Sequence, residues 1–247
     1  METWSNVTQK EMIKVERMQK DILMSLYGMP KTTPYEPFLS EIGIWPMKHY
    51  INYKKLLLLY NLANSPEERV AAKVLKEQIE NQLPSCWYSE LVEQCTEYKI
   101  DASKTKEMTK NEWKKSIKKL IETKVENEDW RKRTKSRFVT DMKRENYVDE
   151  TDKMTMRNIM KIRLNMLELK ANFKGNHKTN TKCPACKVSE DSTEHLFECE
   201  RIKEKIEARF DILREDIKSN KTDKMRMVES YAKKAMDARE SLFRDCF

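Results

Sequence analysis

The chain has 247 residues, 38% hydrophobic and 36% charged, with Lys+Arg 49 against Asp+Glu 41 for a formal charge of +8. That balance describes a highly solvated chain suited to a polyanionic partner. Only 3 glycines are present, and no GxGxxG, GxxxxGK(S/T) or GxSxG, so dinucleotide, P-loop and hydrolase-elbow chemistry have no local support.

The longest apolar run, Leu56-Leu57-Leu58-Leu59-Tyr60, is too short to cross a bilayer, and the N-terminus lacks the basic and then apolar order of a signal peptide. The expectation is a nuclear or cytoplasmic protein, neither secreted nor at a membrane. Its six cysteines therefore read as thiols or metal ligands before disulfides.

Apolar residues recur at three- and four-residue spacing along most of the chain, which predicts a mainly α fold. A first helix over residues 6–27 carries Val7, Val15, Met18, Ile22, Leu23 and Leu26 on one inward stripe and stops before Gly28 and Pro30. Residues 28–46 hold four of the 7 prolines and two of the 3 glycines, and read as a loop. Residues 50–62 read as a buried helix. Ser65, Pro66 and Glu68 then supply an N-cap, a first-turn proline and a capping-box glutamate for a helix to about residue 83.

Ser85 is expected to cap a short helix aligning Leu91, Val92, Cys95 and Tyr98, before a polar break over 101–105. Thr109 and Glu112 form a capping box that opens a charged helical stretch to about residue 146, with Trp113, Ile117, Leu120, Ile121 and Val125 inside. After a break at 149–152, a helix over 154–172 assigns Met154, Met156, Met160 and Met166 to the core. Two helices close the chain, one with the stripe Ile202, Ile206, Phe210, Leu213 and Ile217, the other with Met225, Val228, Tyr231, Ala232 and Ala235. The expected organisation is a helical region over 1–100, a basic helical linker over 101–152, and a helix, knuckle and C-terminal helices over 153–247.

The sharpest chemical signal is Cys183-Pro184-Ala185-Cys186, eight residues, His195, three residues, Cys199. C-x2-C-x8-H-x3-C has the ligand types and spacing of a closed tetrahedral zinc site. Asp191 and Glu194 are expected to open a short helix that sets His195 and Cys199 one turn apart on one face. Four protein ligands leave no position for water, which makes this Zn2+ structural. Cys86, Cys95 and Cys246 belong to no such motif.

Residues 104–144 contain 15 Lys/Arg and 7 Asp/Glu, a local excess equal to the +8 of the whole chain. Lys114, Lys115, Lys118 and Lys119 share one helical side, and Arg131, Lys132, Arg133, Lys135 and Arg137 cluster between Trp130 and Phe138. Such a stretch can neutralise phosphates while its aromatics stack on unpaired bases. The competing readings are a solvated helix face and, for the second cluster, a nuclear-import patch.

Two blocks resemble a known family. Leu26-Tyr27-Gly28-Met29-Pro30, Thr33-Pro34, Glu41-Ile42-Gly43-Ile44-Trp45-Pro46, Tyr50-Ile51 and residues 56–61 resemble the region after the polymerase palm in reverse transcriptases of non-LTR (LINE-type) retrotransposons. Ile162-Arg163-Leu164 onward, with His195-Leu196-Phe197-Glu198-Cys199 completing the CCHC pattern, is similar to the zinc knuckle that follows in the same elements. The resemblance covers residues 15–80 and 155–200. It implies a thumb and linker region with a knuckle that grips template RNA or target DNA during target-primed reverse transcription, and a polymerase supplied in trans as partner. The family's Asp-Asp motif is absent, as is the Pro-Asp of its nuclease, so no catalysis is expected of these residues. Binding would fall to residues 114–137 and to Lys182 and Lys187 beside the knuckle. The rival expectation is a zinc-stapled helical module that binds protein.

Overall fold

The computed structural model describes residues 7–84, 86–127, 143–171, 181–207, 212 and 214–244. Among these the chain is mainly helical, with one isolated antiparallel bridge, Lys182 to Glu190, and no strand. It divides into two compact units, each assembled from two segments: Met1–Ile22 with Trp45–Asp129, and Leu23–Ile44 with Trp130–Phe247.

Helix α1 (Gln9–Tyr27) begins at a capping box, Thr8 with Glu11: Thr8 Oγ1 accepts from the Glu11 N–H at 3.3 Å, and the Glu11 carboxylate takes the Thr8 N–H at 2.9 Å. It ends at Gly28, whose φ of +68° only glycine adopts cheaply. Half of the inward stripe expected on α1 faces outward instead: Met18, Ile22 and Leu26 are 63–64% exposed, whereas Val7, Val15 and Leu23 are half-buried. Met24 is the buried residue, with Leu23 and Tyr27 packed beside it. Caps set where a helix starts and stops, but which face is covered depends on what lies next to it.

In the first unit, α3 (Met47–Ala63) packs against α4 (Val70–Glu80), α5 (Trp87–Tyr98) and α6 (Lys110–Asn127). Its core joins Ile51, Leu56 and Leu59 to Leu91, Trp113, Ile117, Ile121 and Val125. Several polar side chains in it are paired, as burial favours. Trp113 Nε1 donates to the Leu56 carbonyl at 3.0 Å, Asn52 donates to the Tyr98 hydroxyl at 3.0 Å, and Lys55 reaches Glu90 at 3.0 Å. The Thr109/Glu112 capping box opens α6 as expected.

Two boundaries differ from expectation in this unit. Ser65 does not cap α4, because its hydroxyl donates back to the Asn61 carbonyl at 2.6 Å; the helix starts at Val70 behind Arg69, with no side-chain cap. The cap of α5 is Cys86, whose sulfur accepts from the Ser89 N–H at 3.4 Å, and Ser85 lies outside the described residues. The break over 101–105 is a 3-10 turn, Ala102–Lys106, capped by Asp101.

The second unit contains α2 (Tyr35–Ile42), α7 (Asn146–Glu150), α8 (Lys153–Arg163), α9 (Thr193–Glu198), α10 (Glu200–Lys205), α11 (Arg214–Ile217) and α12 (Thr222–Arg244). The proline-rich segment expected to be a loop therefore holds a helix. Pro34 and Pro37 occupy the cap and first turn of α2, where no intrahelical N–H is required, and Gly43 ends it at φ +64°. A Cβ at Gly43 would come within 2.5 Å of the Arg144 backbone nitrogen.

The charged stretch does not continue as helix to residue 146. The Glu145 N–H is taken by the Glu41 carbonyl at 3.0 Å, in extended backbone ahead of α7. Helix α8 is capped by Asp152 and stops at Arg163, short of residue 172, because Asn165 turns left-handed at φ +55°. Met156, Met160 and Met166 are in the core as expected, whereas Met154 is 75% exposed. The Ile202 to Ile217 stripe is interrupted where Glu207 adopts φ +49°; Phe210 and Leu213 lie outside the described residues.

Arg163 knits this unit together. Its Nε donates to Glu41 at 2.8 Å, one terminal nitrogen to Glu145 at 3.0 Å and the other to the Ile217 carbonyl at 2.7 Å. Tyr147 donates a short hydrogen bond to the same Glu41 carboxylate. Arg163 and Glu41 are 1% and 0% exposed, so the ion pair is fully desolvated.

Candidate metal centre

The arm carrying the first two cysteines is a tight turn closed by its own backbone. The Cys183 N–H donates to Ser189 at 2.8 Å and the Lys187 N–H to Cys183 at 2.8 Å, while Lys187 sits at φ +59° to let the chain turn back. The Asp191 N–H reaches Thr181 at 2.8 Å and completes the loop. The second pair of candidate ligands stands on α9, where His195 and Cys199 are one turn apart and joined by an N–H to carbonyl bond of 2.8 Å.

Ser192 caps α9, its hydroxyl accepting from the His195 N–H at 3.2 Å, in place of the Asp191 and Glu194 pair expected. Asp191 does something else. Its carboxylate accepts the Lys170 N–H at 2.9 Å and Arg239 Nε at 2.9 Å, which ties the loop both to the segment after α8 and to α12. Phe197 stacks on Tyr231 of α12 at 5.6 Å, and Leu196 and Ile202 fill the core behind the site. Asp191 and Arg239 as anchors were hidden because their spacing in sequence carries no local signal.

These elements gather one nitrogen and three sulfurs at one point: the ligand atoms of Cys183, Cys186, His195 and Cys199 lie within 4.8 Å of one another, with Cys186 Sγ 3.2 Å from His195 Nε2. Four donors around one ion, at about 2.3 Å for sulfur and about 2.0 Å for nitrogen, stand roughly 3.5–3.8 Å apart. The cluster could hold a metal ion. Its electrostatics also suit a cation. Burial pushes the Cys199 thiol up to about 12, with the neighbouring Cys183 and Cys186 sulfurs adding to the rise, and burial raises Cys183 as well. At Cys186 burial also acts upward, but the Ser189 and Val188 N–H groups and the His195 ring outweigh it and bring the thiol down to about 6. Three thiolates packed together repel one another, and a bound dication relieves that repulsion.

Of the residues expected to contact nucleic acid, Lys114, Lys115, Lys118 and Lys119 are exposed on α6, and Lys118 lies 3.7 Å from Glu122. Lys182 and Lys187 are exposed on the knuckle loop, in the other unit. Arg131, Lys132, Arg133, Lys135 and Arg137 lie outside the described residues, as do Trp130 and Phe138. Among the described residues no helix is long and apolar enough to cross a membrane. Compared with protein-family models, with curated proteins and with solved structures, the chain matches none.

Proposed function

We propose that this chain binds RNA or DNA without catalysing a reaction, as the thumb, linker and knuckle region of a non-LTR retrotransposon reverse transcriptase, with a structural zinc ion holding the knuckle. The observation that carries the reading is the Glu41–Arg163 pair. The two sequence blocks that resemble this family, 122 residues apart at that contact, are each other's buried partners.

Zinc is the metal favoured by three thiolates and an imidazole in a closed set. It supplies no reaction here. With all four positions taken by protein, its work is to cross-link the Cys183–Cys186 loop to α9, so that Lys182 and Lys187 present their charges from a fixed loop. The exposed lysines of α6 add a second cationic face suited to phosphates.

A salt titration of binding to single-stranded RNA and to duplex DNA tests the reading. With about 6 phosphate contacts, affinity falls on the order of a thousandfold between about 50 and 200 mM salt; no binding, or binding indifferent to salt, refutes it. The outward stripe Met18, Ile22 and Leu26 on α1 favours a second reading, a zinc-stapled module that binds protein, such as a polymerase supplied in trans.

A further inference from the structure

Helix α8 has no acidic residue, yet one side carries the exposed Lys153 and Arg157 and the half-buried Lys161 at i, i+4 and i+8. At 1.5 Å rise per residue the three cations are spaced about 6 Å apart along one line. Among the described residues none of them makes an ion pair. They edge a groove of about 660 Å³ between α8 and α12, with Lys233 of α12 also lining it. The floor is apolar, built from Ile162, Met166, Ala232 and Met236. Two acids share the lining; Glu229 is engaged by Asn158 at 2.8 Å, and Glu168 is exposed.

We infer that this groove is a binding site for a single nucleic-acid strand, with phosphates along Lys153, Arg157 and Lys161 and an unpaired base against Met166 and Met236. The inference deepens the nucleic-acid reading and rests on it. A line of regularly spaced, unpaired cations matches a polymer with regularly spaced anions; a ligand with one anionic head would leave two of the three cations unused. The floor selects the strandedness. A single strand can turn a base face onto methionine sulfur and side-chain methylenes, and sulfur makes favourable contacts with aromatic rings. In a duplex those faces are already stacked.

Fluorescence anisotropy on the full zinc-loaded chain, using labelled RNA and DNA single strands of about 12 nucleotides and a duplex of equal length, measures the site. The combined variant Lys153→Gln, Arg157→Gln, Lys161→Gln removes three contacts. At about 0.7 per contact this lowers the slope of log K against log salt by about 2, and binding at 0.1 M salt by about a hundredfold. Met236→Ala weakens single-strand binding with the slope unchanged, because it removes a base contact and no charge. Arg157→Lys keeps the charge and the slope. Unfolding curves of each variant show whether the fold is retained.

If the parent chain binds with a steep salt dependence and the triple variant binds equally well, the groove is not the site, while the nucleic-acid reading survives. Should the parent bind neither RNA nor DNA, that reading falls and takes the groove with it. Equal affinity for duplex, or no loss in Met236→Ala, overturns the single-strand assignment. Competition by poly-glutamate as effective as by an oligonucleotide of equal charge overturns it in favour of an acidic protein partner.

Discussion

Replacing Arg163 by methionine removes the guanidinium that Glu41 and Glu145 share. In the parent, Arg163 makes bonds of 2.8 Å to Glu41, 3.0 Å to Glu145 and 2.7 Å to the Ile217 carbonyl, and Glu41 is 0% exposed. Methionine follows the aliphatic part of the arginine side chain and ends where the guanidinium begins, so the charge and its hydrogen bonds are lost together with some packing. Breaking a buried pair by removing one partner costs about 3–5 kcal/mol, because the remaining charge is stranded without water. With a urea m-value of about 2 kcal/mol per molar, the unfolding midpoint falls by about 2 M with little change in slope. Protonating a stranded carboxylate removes the buried charge, so the gap between variant and parent narrows as the pH is lowered. Adding Glu41→Gln and Glu145→Gln to Arg163→Met recovers part of the loss for the same reason, and the departure from additivity measures the coupling. A midpoint within about 0.3 M of the parent, at unchanged slope, would show that α2, α8 and α11 are held by packing alone and refute the electrostatic account.

Two further outcomes follow from local chemistry. In the metal-free site burial holds Cys183 above its ordinary range and Cys199 up at about 12, so both bind protons at neutral pH. A metal must displace those protons, and zinc affinity measured by chelator competition rises with pH across about 6–8 with proton release on binding; a pH-independent affinity would contradict the assignment of these thiols as ligands. Gly43→Ala introduces a Cβ within 2.5 Å of the Arg144 backbone at φ +64°, and lowers stability by about 1–3 kcal/mol, read as a drop in melting temperature. An unchanged melting temperature would mean that the α2 to α7 approach is not as close as described.

The four-ligand cluster was legible in the residues because its geometry is nearly all local. A two-residue gap brings Cys183 and Cys186 onto one turn, and a three-residue gap brings His195 and Cys199 onto one helix face, so only the meeting of the two pairs needs the fold. The capping box at Thr109 was legible for the same reason, since its bonds span three residues. Ser65 shows the limit of that logic: its hydroxyl had a carbonyl four residues back as an alternative partner, and no pattern in the residues says which one wins.

Other features depend on partners far away along the chain. Nothing near Met18, Ile22 and Leu26 distinguishes an inward from an outward stripe; the core that buries Met24 instead draws on α2, α7, α8 and α12. Asp191 reads locally as a helix opener and becomes an anchor only because Arg239 is brought to it from 48 residues away. The cation row of α8 is visible as a four-residue period, yet its apolar floor exists only where α12 lies alongside. Composition, caps and ligand spacing decided a mainly helical chain with a four-ligand cluster, because hydrogen bonds and coordination act over a turn or two. Which faces are buried, which charges are desolvated and where a groove opens were decided by tertiary packing, because burial is a property of everything that surrounds a side chain.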